Sequence, residues 1–124
     1  MAVTTRSLLG RQGGKLVKQT VTNASATTAQ ASSTSVLMFE VDNTANSAST
    51  FFKVYNNASP TIASSGSTAP YMIFKTPAAK TMVGTLTTSD ATLGTASTFA
   101  AVTTGGIQGA TAPTSSVPSR LVYS

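Results

Sequence analysis

The sequence predicts an all-β protein: an antiparallel β-sandwich, jelly-roll-like, of about six to eight short strands with an extended N-terminal arm. Three observations carry this. Large apolar residues recur in short runs with the period of two that sends alternate side chains to opposite faces. Thr, which suits a pleated surface better than a helix, supplies 23 of 124 residues. Gly, Pro and Asn punctuate the runs, and no stretch sustains a helical period.

The composition sets the scale. Ala, Thr and Ser together fill 58 positions, while Leu, Ile, Val and Phe fill only 25. That fraction lies near the ~20% typical of disorder, but disorder also calls for high net charge. Here only 9% of residues are charged and the net charge is +5, so a folded chain with a thin core is expected. At this length one domain is the natural reading, and a thin core favours a homo-oligomer, dimer or trimer, in which neighbours add burial.

Residues 1–18 hold Arg6, Arg11, Lys15 and Lys18 and no acid, half of the 8 basic residues. Gly10, Gly13 and Gly14 break any helix there. The segment reads as a basic extended arm, either solvated or docked on a neighbour, ahead of a single sandwich domain over 19–124. No aromatic residue interleaves with these charges to stack on bases, so nucleic acid is not the expected partner. Gln19 to Ser35, mostly Thr, Ser, Ala and Asn around Val17 and Val21, suits a weakly specified edge strand and a loop.

From Ser35 to Asn43, Leu37, Phe39 and Val41 are expected inward, alternating with Met38, Glu40 and Asp42. Thr50 to Asn56 follows, with Phe52 and Val54 inward. Phe51, Lys53 and Tyr55 take the other face, with Lys53 marking solvent. Asn56, Asn57, Pro60, Gly66 and Pro70 make a long connection. Tyr71 to Lys75 and Lys80 to Leu86 form a pair of strands around Pro77. Ser97 to Thr104 and Arg120 to Tyr123 complete the set.

Chemistry has few footholds. With no Cys and no His there is no disulfide and no zinc cage, and the hydroxyls lack a histidine base. Glu40 and Asp42, two apart on one strand, would stand ~6.5–7 Å from each other. That spacing overlaps a glycosidase pair, but two solvated charges are the simpler reading. The sequons at Asn23 and Asn57 match chance in a chain so rich in Ser and Thr. No cofactor is expected, and no apolar run reaches the ~20 residues of a membrane helix. Tyr55 and Tyr71, with Lys53, are the candidate outward-face residues; as a sugar platform they would make the chain a carbohydrate-binding module.

Val41-Asp42-Asn43-Thr44, Phe52-Lys53-Val54-Tyr55-Asn56, Ser59-Pro60-Thr61, Gly66 to Pro70 and Met72 to Pro77 together resemble small β-sandwich structural proteins of tailed-bacteriophage virions. The likeness covers roughly residues 36–80. It implies a non-enzymatic capsid decoration (cement) protein on the outer surface of the particle, made in the host cytoplasm. The implied partner is the major capsid protein or another virion protein. Arg6, Arg11, Lys15 and Lys18 are its candidate assembly contacts. Alternatives are a tail, neck or fibre component, or a carbohydrate-binding adhesin module.

Overall fold

A computed structural model describes residues 3–7, 15–22, 24–87 and 92–124. Ten strands are described: β1 Val3–Ser7, β2 Lys15–Thr22, β3 Thr27–Gln30, β4 Thr34–Asp42, β5 Thr50–Tyr55, β6 Met72–Thr76, β7 Thr81–Thr85, β8 Thr92–Leu93, β9 Ser97–Val102 and β10 Val117–Tyr123. One sheet runs β1-β2-β10-β4-β7, with β8 also on β4; the other runs β3-β9-β5-β6, and every described pairing is antiparallel.

The two sheets form a β-sandwich. Without β1 and β8, the strands order as β2-β10-β4-β7 over β3-β9-β5-β6. The chain steps back and forth between the sheets, so sequence neighbours such as β2 and β3 lie in different layers while β2 and β10 are joined. This is the eight-stranded jelly-roll wrap, an architecture shared by capsid proteins, lectins and cupins.

The large side chains meet between the layers. Val17, Phe39, Val41, Val117, Leu121 and Tyr123 face Phe52, Val54, Phe99 and Ala101. Phe39 stacks on Phe74 at 4.1 Å and on Phe52 at 5.8 Å, and Phe52 meets Phe99 at 5.5 Å. Four aromatic rings thus bridge the sheets where aliphatic residues are scarce, each carrying a large apolar area.

The expected alternation in β4 breaks at its start. Met38 opposes Val122 while Val36 opposes Tyr123, so Leu37 is an extra residue, a β-bulge. Val36 enters the core in place of Leu37, which stays half-buried. A period of two read from sequence slips by one wherever a bulge is inserted.

The N-terminal segment also differs from an extended arm. Lys15 to Lys18 belong to β2, an interior strand between β1 and β10, and Val17 is fully buried. β2 is not an edge: β10 hydrogen-bonds it in register from Ser119 to Tyr123, and β1 covers its other side.

Candidate functional site

The four-stranded sheet turns Phe51, Lys53 and Tyr55 away from the core, opposite Val102, Ala100 and Thr98 of β9. This outward face is not open to solvent. The connections 56–71 and 103–116 lie across it as a third layer and lock to each other. Gly109 N donates to Ala63 O (2.8 Å) and Ser67 N to Gln108 Oε1 (3.1 Å), while a bond from Thr103 N to Thr111 O (2.9 Å) folds the second connection on itself. Gly105 presses on the Phe51 ring: a Cβ there would stand 2.9 Å from Cε1.

Lys53 and Tyr55, expected on an outward face, are therefore both 0% exposed. The correction has a simple cause. Strand alternation gives the face a side chain takes, whereas loops of low complexity decide whether that face meets water. Lys53 Nζ donates to the backbone oxygen of Gln108 at 3.2 Å, anchoring the covering loop to the sheet. Burial pulls the Lys53 pKa below its ordinary value and pushes that of Tyr55 up. The Tyr55 hydroxyl, Thr98 Oγ1 and Ser97 Oγ have no hydrogen-bond partner among the described residues. A buried amine beneath interlocked loops is out of reach of a substrate, so its evident role is to hold the third layer in place.

Tyr71 does lie outward, 47% exposed, with its N–H donating to Val54 O at 2.7 Å. Ile73, across the ladder from Lys53, and Ile107 of the covering loop are exposed as well. A sugar platform built from Tyr55 and Tyr71 together is ruled out by the burial of Tyr55.

The basic residues divide. Lys18 is exposed on β2, level with Arg120 of β10, which in turn lies opposite Glu40 of β4. Arg120 Nη1 bonds Glu40 Oε1 at 3.0 Å, so the six-stranded sheet carries a row Lys18, Arg120, Glu40, Val83 on its outer face. Lys15 is half-buried. Arg6 occupies a β1 position opposite Leu16, and Arg11 lies outside the described residues.

The two carboxylates do not act as a pair. Glu40 is engaged by Arg120, while Asp42 accepts the hydroxyl and the N–H of Thr44, which hold its carboxyl below the usual carboxylate range.

Asn43 escaped the sequence reading. Its Nδ2 donates to Ala48 O (2.9 Å), Thr76 O (3.3 Å) and Pro77 O (3.0 Å), and its Oδ1 accepts from Thr50 Oγ1 (2.7 Å). One buried amide thus ties the β4–β5 turn to the β6–β7 turn. An Asn directly after a strand was the available signal. Comparison with protein-family models, with curated proteins and with solved structures found no match for this chain.

Proposed function

We propose that this chain is a non-enzymatic structural protein of a bacteriophage particle, a capsid decoration (cement) protein that binds the outer shell and works as a homo-oligomer. The observation that carries the reading is the strand order. A jelly-roll sandwich fits a module that acts through its surfaces, although the same architecture also serves lectins and enzymes. Two further features support it. Lys53, a buried amine whose pKa burial lowers, is engaged in holding a loop. The row across the six-stranded sheet runs from exposed Lys18 at one end, through Arg120 and Glu40, to exposed Val83 at the other, a mixed surface suited to contact with a larger neighbour.

The test is removal and return. Particles stripped of the protein should lose resistance to heat or osmotic shock, and adding the purified chain back should restore it. Stripped particles of unchanged stability would defeat the cement role. A handful of copies confined to one vertex would favour a tail, neck or fibre component instead.

A further inference from the structure

β7 is the feature that the fold leaves unfinished. Among the described residues it is an outermost strand of the six-stranded sheet, paired with β4 on one side only. Its register opposes Thr81 to Asp42, Val83 to Glu40 and Thr85 to Met38. At its two ends, Asn43 N donates to Lys80 O and Leu86 N donates to Leu37 O, both at 2.9 Å. In an antiparallel ladder, bonded and non-bonded pairs alternate. The groups of Lys80, Met82, Gly84 and Leu86 therefore point at β4. Those of Thr81, Val83 and Thr85 point away from it, at the open edge.

Natural edge strands are usually guarded by a charge, a proline, a bulge or a cover. β7, Thr-Met-Val-Gly-Thr, has no charged residue and no proline, and its pairing with β4 shows no register shift. Val83 is 58% exposed at its centre, the most exposed large apolar residue among those described.

We infer that β7 is the interface for a second copy of this chain, joined antiparallel about a two-fold axis at Val83. The pattern is self-complementary in this register. Val83 lies opposite Val83 of the second copy, and Thr81 opposite its Thr85. All three residues with outward-pointing N–H and C=O groups then meet their like, in bonded pairs. Every open group of the edge finds a partner. On the outer face the pairs are Thr with Thr and Val with Val, which are favourable across strands. On the inner face Met82 meets Gly84 of the other copy, large beside small. Lys80 falls opposite Leu86 of the second copy, so no like charges are opposed.

The joint would run the six-stranded sheets of two subunits into one continuous sheet. It names the surface used for the self-association in the proposed function and rests on that part of it. It does not depend on where in a particle the protein sits.

The chain has no cysteine, so a single thiol reports the register. In a bonded antiparallel pair the Cα atoms are about 5.5 Å apart and the side chains stand wider than the ~3.5–4.5 Å between Cβ atoms that a disulfide needs, so the thiols are joined with a short bifunctional thiol reagent. The full-length Val83→Cys variant should be joined by that reagent into a covalent dimer. Thr81→Cys should not, because at ~3.4 Å per residue its counterpart lies about 14 Å away. In parallel, sedimentation of the unmodified chain should show dimers, and Val83→Lys should raise their dissociation constant by about tenfold or more. Both substitutions fall on an exposed side chain, and if Val83→Lys fails to fold, the cysteine pair still decides. Equal crosslinking of the two cysteine variants in a chain that self-associates would overturn the β7 interface and leave self-association standing. A monomer at about 100 µM would overturn both.

Discussion

The ring of Phe39 lies directly on the backbone of Gly84: a Cβ added to Gly84 would stand 2.3 Å from both Cε1 and Cζ. Gly84 is the residue opposite Phe39 in the β4–β7 ladder, and the same ring stacks on Phe74 of the other sheet. The glycine lets one ring close the sandwich at this flank. Gly84→Ala would push the ring out of its stack at a cost of about 2–3 kcal/mol, read as a lower denaturant midpoint with an unchanged slope. A change under about 0.5 kcal/mol would mean that the ring moves aside freely.

Asn43 serves three carbonyl oxygens with one Nδ2 group. Asn43→Asp keeps the shape and removes those donors, setting an oxygen against oxygens in a buried site. The expected loss is about 3 kcal/mol or more in chemical unfolding near neutral pH. It should shrink as the pH falls and the new carboxyl gains a proton.

Lys53 offers a test by pH. Burial holds its pKa below the ordinary 10.5, so in the window up to that value the unfolded chain binds more protons, and stability from this group rises with pH. Tyr55 and Tyr123 are pushed above 10.0, so the folded chain keeps their protons longer and stability falls as the pH passes that value. Lys53→Met should fold, be at least as stable as the parent at pH 7, and lose the alkaline rise. Tyr55→Phe should soften the alkaline fall. Urea titrations at stepped pH would show both; a large destabilisation of Lys53→Met at pH 7 would mean that its bond to Gln108 outweighs the burial of its charge.

The Arg120 to Glu40 pair, by contrast, is a surface bridge between side chains 45% and 32% exposed. Arg120→Ala should cost no more than about 0.5 kcal/mol in thermal unfolding. Its effect belongs in binding to a charged neighbour, visible as a changed salt dependence.

Much of the fold was legible because β4, β5 and β9 announce themselves by large residues at alternate positions, of which Phe39, Val41, Phe52, Val54 and Phe99 do form the core, whereas Val83 of β7 stays exposed. What escaped has definite causes. The bulge at Leu37 leaves no mark in composition, so Val36 was missed. β2 is interior because β1 and β10 flank it, and pairing between the two ends of a chain is invisible to local pattern. Lys53 and Tyr55 were assigned the correct face of β5, yet nothing in their neighbourhood reveals that two Ser-rich and Gly-rich loops close over them. Of the basic residues assigned to assembly, Lys18 stands exposed on a sheet face, a placement fixed by strand pairing with Arg120 and not by charge clustering along the chain.

The proposed function turns on whether this sandwich is part of a particle. Quantitative mass spectrometry of gradient-purified particles from cells that produce the chain, joined to imaging of its position, is the direct measurement. A cement protein should be present on the order of hundreds of copies spread over the outer shell, as symmetric assembly in high copy number requires. Particles that carry none of the chain would contradict the proposed function.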